Sequence, residues 1–363
     1  MRAKSWLIAG FFGAVVAGEA RAEDPPKLAP VEGDYVVQHF QFRSGESLDN
    51  LRLHYMTLGK PQRDGRGRVT NAVLILHGTG GSGQQFLRPQ FANVLFAPGG
   101  LLDPARHFII LPDGIGHGRS SKPSDGLRMT FPSYDYDDMV AAQYALVRKG
   151  LKVDHLRLIL GTSMGCMHAF VWGETHPKFM DAMMPLACLP VEIAGRNRAW
   201  RFLVMNAIRR DPAWNGGDYA AQPVQGLRTA QSLLFLAGSA PIFWQKAYGT
   251  REAADKFAQE TVDRALAALD ANNLLYQVNA SRTYDPSAGL GKIEAQVTWI
   301  NSADDFINPP GLAIAEREAA KLKRGKFILL PESETTRGHA SHTWAALWQN
   351  HLKALLEASG SIP

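Results

Sequence analysis

Six short apolar runs, each closed by turn-forming residues and separated by stretches of helical pattern, restrict the folds open to this chain. They lie at residues 71–76, 107–111, 155–160, 180–189, 295–300 and 326–330. A strand with one face in water alternates apolar and polar residues, whereas a strand without polar positions is covered on both faces. Buried strands alternating with helices imply an α/β architecture, a mostly parallel central sheet with helices on both faces. Residues 35–42 and 51–58 alternate and read as two further strands. Residues 134–151 read as an amphipathic helix. A last helix is expected over 341–359, with Trp344, Leu347, Leu352 and Leu355 as its core stripe.

The alternation fails between residues 191 and 291. The pattern there is helical, with a long helix expected over 252–276 and loop signals at Asp211-Pro212, Gly216-Gly217 and Pro223. An insertion of this size between two strands is expected to form a helical cap, leaving residues 23–190 and 292–363 as the core. The first 22 residues read as a signal peptide. Arg2 and Lys4 precede an apolar stretch too short to span a bilayer, and Ala20-Arg21-Ala22 has the small-x-small cleavage pattern. The expected mature protein begins at Glu23, is periplasmic or secreted, and has no integral membrane association after cleavage. The formal charge is +5, and losing Arg2, Lys4, Glu19 and Arg21 reduces it by two, too little charge for a nucleic-acid partner. Two cysteines exclude a disulfide scaffold and a four-cysteine zinc site. Cys166 and Cys188 lie in apolar segments and read as free buried thiols, although an oxidising compartment would let them pair.

The strongest chemical signal is Gly161-Thr162-Ser163-Met164-Gly165, which follows a buried strand and precedes a helix. That is the context of a nucleophile elbow. The glycines permit a sharp turn, and the helix N-terminus brings partial positive charge to a developing oxyanion. A serine hydroxyl is a weak nucleophile and needs a base, itself oriented by an acid. The acid should follow a late strand and the base should precede the last helix. Asp304 and Asp305 are both placed for the first role, and His339 and His342 for the second. Oxyanion donors would be the backbone amides of Met164 and of Thr79, in His77-Gly78-Thr79-Gly80-Gly81, with His77 bracing that loop. The same glycines form a weak dinucleotide fingerprint, with Asp113 after the next strand. Pro89 is expected to interrupt the helix that would receive the pyrophosphate, and an exported protein would rarely meet a nicotinamide cofactor. No metal motif and no P-loop lysine occur, so neither cofactor nor metal is expected.

These segments together resemble the α/β-hydrolase superfamily, and the chain is similar in particular to its homoserine O-acetyltransferase-like branch. The likeness runs over most of the mature chain, through Leu53-His54-Tyr55-Met56-Thr57-Leu58-Gly59 and the Gly-x-Ser-Met-Gly elbow. It continues through Ala207-Ile208, Asp211-Pro212-Ala213-Trp214, Gly217, Tyr219, Pro223 and Gly226-Leu227 in the insertion. The resemblance implies an α/β-hydrolase fold with Ser163 as nucleophile. It implies Asp305 as acid, four residues before Pro309, and His339 as base, from the family's Gly-His pair. Two positions depart from the branch. The arginine that holds an amino-acid carboxylate there falls at Met205, and the aspartate that follows the histidine is Ala340. Methionine cannot supply a bidentate fork. Arg209 and Arg210 lie close by in sequence, but the spacing does not demand that they replace it. Acetyl-CoA is moreover a cytosolic metabolite. The expectation is an exported serine hydrolase acting through an acyl-enzyme on a small acyl substrate such as an ester. An O-acyltransferase using the same triad is the first alternative, and a non-catalytic hydrolase-fold binding protein the second. The oligomeric state stays open, a homodimer included.

Overall fold

The computed structural model describes residues 28–360, so the expected signal peptide lies outside the described residues. Eight strands build one sheet: β1 (Val31–Gln41), β2 (Ser47–Leu58), β3 (Ala72–Leu76), β4 (Phe108–Pro112), β5 (Leu156–Thr162), β6 (Met180–Leu186), β7 (Gln296–Ser302) and β8 (Gly325–Leu330). Their spatial order is β1-β2-β4-β3-β5-β6-β7-β8. β1 and β2 are antiparallel, as are β2 and β4, and every other pair is parallel. The helices are α1 (Pro89–Leu95), α2 (Tyr136–Ala145), α3 (Met164–Thr175), α4 (Gly195–Arg210), α5 (Val224–Ala237), α6 (Pro241–Ala247), α7 (Arg251–Leu266), α8 (Ala271–Asn279), α9 (Ile314–Ala319) and α10 (Gln349–Ala358).

The absence of polar positions in β3 and β4 follows from coverage on both faces. Leu74, Leu76, Ile110 and Ile159 enter a cluster with Met139 and Val140 of α2 and Phe170 and Trp172 of α3. Their neighbours Val73, Ile75, Ile109, Leu158 and Leu160 enter a second cluster with Phe91 and Leu95 of α1 and Leu352 and Leu355 of α10. Successive side chains along a strand point to opposite faces, so each five-residue run serves both layers.

Between β6 and β7 the chain runs through α4 to α8, which carry their own apolar cluster, including Trp200, Val204, Ile208, Leu227, Leu274 and Val278. α8 ties this insertion to loops beyond the carboxyl end of β4. Gln277 Nε2 donates to the Gly116 carbonyl at 2.7 Å, Tyr276 donates its hydroxyl to the Met129 carbonyl at 3.1 Å, and Asn273 Nδ2 donates to Ser124 Oγ at 2.8 Å.

Pro89 does break the helical stretch after the glycine loop: the 3₁₀ turn Gly83–Leu87 ends at an extended Arg88, and α1 starts afresh with Pro89 at its first position, where the missing N–H costs nothing. Several expectations are corrected. The helix expected over 252–276 is two, because Asp270 starts α8 by accepting the Asn273 N–H. The 134–151 pattern is α2 followed by a single π turn. The 180–189 run stops pairing at Leu186, since Ala187 takes a left-handed φ of 65°. The last helix begins at Gln349, after short 3₁₀ turns. Trp344 is therefore no core residue; it is 36% exposed and stacks with the Arg337 guanidinium, while Trp348 is buried. Cys166 and Cys188 are not free thiols but form a disulfide, with Cα atoms 5.9 Å apart. Apolar surroundings suit free and bonded cysteines alike, and only the packing of α3 on the end of β6 brings these two together.

Candidate active site

The elbow is a strained turn. Ser163 has φ 54° and ψ −111°, a region that costs a non-glycine residue about 1–3 kcal/mol unless its surroundings impose it. Those surroundings are close-packed backbone. A Cβ on Gly161 would lie 2.0 Å from the Gly165 carbonyl oxygen, and one on Gly165 would lie 2.1 Å from that of Leu76. Neither glycine has a positive φ, so both are needed for close approach and the unusual dihedrals fall on the serine. The Ser163 N–H donates to the Leu186 carbonyl at 2.8 Å, which anchors the turn to β6.

Ser163 Oγ lies 2.8 Å from His339 Nε2, and His339 Nδ1 lies 2.9 Å from Asp305 Oδ2. Asp305 has a fully buried side chain and accepts further hydrogen bonds from the Ile307 N–H and from Asn308 Nδ2. Burial by itself raises its pKa. The charge and hydrogen bond of His339, with the Asn308 and Ile307 donors, outweigh that and hold the carboxyl below its ordinary value. An ionised carboxylate only accepts, so Nδ1 of His339 carries the proton and Nε2 is free to accept from the serine hydroxyl.

The other two candidates stay outside this chain. Asp304 accepts from the Gly338 N–H at 2.9 Å and from the Ser302 hydroxyl, and so braces the histidine loop. His342 is half-buried and edge-on to His339, with ring centroids 5.2 Å apart, and its buried Nδ1 has no partner among the described residues. Burial, together with the neighbouring His339, pulls its pKa down to about 3, so it is neutral. Sequence reasoning overlooked Asn308, whose amide bridges Asp305 and the Ala187 carbonyl. Its position three residues after the acid was the available signal.

Gly78 packs against Ser163, since a Cβ there would lie 3.2 Å from Ser163 Cβ. The loop that carries Thr79 is thereby packed on the elbow. Met164 heads α3, where a backbone amide has no partner within the helix. His77 is a brace: its Nδ1 donates to the Gly78 carbonyl, and its Nε2 accepts the Gly114 N–H. Asp113 accepts the Gly83 and Arg119 N–H groups, so its carboxylate is committed to loop backbone.

On the insertion side, Met205 is buried in the apolar cluster of α4, α5 and α8. Arg209 and Arg210 are exposed at the end of α4. The buried cation of this helix is Arg201, one turn before Met205, and it donates to Asn197 Oδ1 and Ser281 Oγ. The link between α5 and α6 reaches the histidine loop: a Cβ on Gly338 would lie 2.1 Å from the Ser239 carbonyl oxygen. His339 keeps only 13% of its side chain exposed. An imidazole oriented by a carboxylate, in contact with a hydroxyl on a strained turn, can take the proton of that hydroxyl as it attacks a carbonyl. It can then return the proton to the leaving group.

A model of the alpha/beta hydrolase fold matches residues 71–342. The homoserine O-acetyltransferase of Moorella thermoacetica is 30% identical over 316 residues, covering 75% of this chain and 81% of its own. A probable acyltransferase of Methanothermobacter thermautotrophicus is 28% identical over 279 residues, covering 77% of this chain and 84% of its own. The solved structure of an acetylester hydrolase from Corynebacterium glutamicum matches at a TM-score of 0.78 and 21% identity, covering 90% of this chain and 96% of that one. Relatives on this fold thus bear the names of both transferases and hydrolases. The chain belongs to the alpha/beta-hydrolase fold family, in its homoserine O-acetyltransferase-like branch.

Proposed function

We propose that this protein is an exported serine hydrolase that forms an acyl-enzyme at Ser163 and releases the acyl group to water. The observation that carries the reading is the continuous hydrogen-bonded chain Ser163–His339–Asp305. In the first step Ser163 Oγ bonds to the substrate carbonyl carbon, and its proton passes to His339 Nε2. The amides of Thr79 and Met164 receive the oxyanion. The leaving group departs with the proton from His339. In the second step His339 takes a proton from water as its oxygen adds to the acyl carbon, and the bond to Ser163 Oγ breaks with return of that proton to the serine, freeing the acid. The substrate is a small ester or related acyl compound. A cleft of about 740 Å³ is bordered by Gly80 and Gln85 on the glycine-loop side and by Asn273 and Gln277 of α8, but not by Ser163 or His339. The complete hydrogen-bond chain weighs against a non-catalytic binding role. The disulfide supports work in an oxidising compartment, since cytosolic thiols are kept reduced.

Acyl transfer by the same acyl-enzyme is the second reading, favoured by the relatives named as acyltransferases. Against it stands Met205, which sits in an apolar cluster at the position where the branch carries its carboxylate-binding arginine. A hydrogen bond to a charged group is worth about 1.5–3 kcal/mol, so an amino-acid acceptor should bind at least ~10-fold more weakly than it would with the arginine. The test is a panel of short-chain esters and thioesters, acetyl-CoA included, with and without homoserine. Release of the leaving group independent of acceptor supports hydrolysis. Saturable, homoserine-dependent thiol release with O-acetylhomoserine as product would make the transferase reading correct.

A further inference from the structure

The disulfide joins the helix turn that follows Ser163 to the segment after β6, which is hydrogen-bonded through Asn308 to Asp305. Cys166 lies in the first turn of α3, three residues after Ser163. Cys188 lies two residues beyond the end of β6, on a segment held from several sides. Its N–H donates to Asn301 Oδ1, and its carbonyl accepts from Trp299 Nε1 and Asn301 Nδ2, each at 3.1 Å. The preceding residue, Ala187, is in the strained left-handed region, and its carbonyl accepts from Asn308 Nδ2 at 3.1 Å. That same Asn308 nitrogen donates to Asp305 Oδ2 at 2.9 Å. A closed path therefore runs from Ser163 through Cys166, the disulfide, Cys188, Ala187, Asn308, Asp305 and His339 back to Ser163. Apart from the short peptide links, its one covalent cross-connection is the disulfide.

We propose that Cys166 and Cys188 are positioning residues: their disulfide sets the placement of the nucleophile helix against the acid-bearing loop, and so the alignment of Ser163 with His339 and Asp305. Both cysteines are wholly buried. Two thiols in place of one bond would have to be accommodated in an interior without spare volume. The movable partners are the first turn of α3 and the Ala187-Cys188 segment, which hold the serine and, through Asn308, the acid. A misplacement of about 1 Å at a reacting group can cost ~100-fold in rate. The inference rests on the reading of Ser163, His339 and Asp305 as the reacting centre.

The test compares wild type with Cys166→Ala/Cys188→Ala and with Cys166→Val/Cys188→Ala, which restores volume without the bond. Ester hydrolysis is measured well below the thermal midpoint and normalised to folded protein. The expected result is a fall in kcat of at least about tenfold in both variants with KM little changed, and a displaced acidic limb of the kcat/KM pH profile. A second readout does not depend on activity. The downfield proton resonance of His339 Nδ1, assigned by its loss in His339→Gln, should shift or broaden in both variants. Wild type refolded under reducing conditions should share the defect. Oxidised glutathione, which takes up two electrons and two protons as the bond forms, should restore it. Unchanged kcat, pH profile and resonance in the variants, even with a lowered Tm, would reduce the disulfide to a stabilising role and overturn the proposal. Activity retained in Ser163→Ala would instead overturn the catalytic reading, and the resonance would still decide the geometric claim.

Discussion

At Ser163 two opposed requirements meet: the hydroxyl must stand clear of the sheet, and the backbone must turn within one residue to start α3. The structure meets both by placing the strain on the serine and holding it with tight packing at Gly161 and Gly165. Ser163→Ala should lower kcat by about 10⁴-fold or more and leave the circular dichroism spectrum intact, and a fluorophosphonate probe should label Ser163 alone. His339→Gln should show a loss of similar size. His342→Gln should keep most of the rate, because that ring is neutral and bonds to neither the serine nor the acid. Steady-state kinetics on the pair separates the two histidines. Asp305→Asn should cost ~10⁴-fold by favouring the wrong imidazole tautomer. The folded-state pKa of Asp305 is depressed, so the stability it contributes is present above the unfolded carboxylate range and is lost only as pH falls through the lower folded value. Through neutral and alkaline pH it stays ionised and leaves the rate profile to other groups.

Among the elements, the strands were the most legible. A run such as Ala72–Leu76, apolar at every position, short and closed by turn residues, reads as a strand covered on both faces, and all six runs contribute strands to the sheet. The ends of elements were less legible, because contacts distant in sequence decide them. Ala187 ends β6 with a dihedral that suits glycine better, held by hydrogen bonds to Ile300 and Asn308. Arg337 lies over both Phe243 and Trp344, and this pairing across to α6 accompanies the exposure of Trp344 and the late start of α10. The elbow itself is an element with no slack. Gly165→Ala should push α3 away from β3, costing about 1–3 kcal/mol and most of the activity. Denaturant unfolding with an unchanged slope but a lowered midpoint would match that expectation, and an unchanged midpoint would refute it.

On the scale of the whole molecule, one group far from the chemistry links stability to pH. Glu174, at the end of α3, is half-buried against Gly289. Burial first, then the charges of Asp137 and Asp285, push its carboxyl up to about 7, opposed by Lys292. A raised folded value means that the protonated form is favoured by folding. The stability it contributes is therefore full below the unfolded value of 4.5 and is lost as pH rises through about 7. Glu174→Gln should gain on wild type as pH rises from 5 to 8 and then hold a constant lead. Allowing for solvent screening, that lead is about 1 kcal/mol, or roughly 2 °C in Tm. Thermal scans across pH check this, and a lead that shrinks with rising pH would contradict it. The insertion also acts at this scale, because its α5–α6 link rests on the histidine loop and α8 borders the cleft beside the glycine loop.

Local pattern alone was enough for the α/β class, the elbow and the Ser, Asp, His order, because burial on both faces and a five-residue turn leave direct marks on a sequence. It narrowed the acid to two neighbours and the base to two, and the family resemblance then pointed to Asp305 and His339. In the structure these are the pair aligned with Ser163, through side-chain directions set by long-range packing. That Cys166 and Cys188 are bonded rather than free, that Asn308 reaches the Ala187 carbonyl, and that Arg201 is buried were decided by the tertiary structure. Each depends on segments far apart in the chain meeting at one point, and nothing in the flanking residues of either partner records the other.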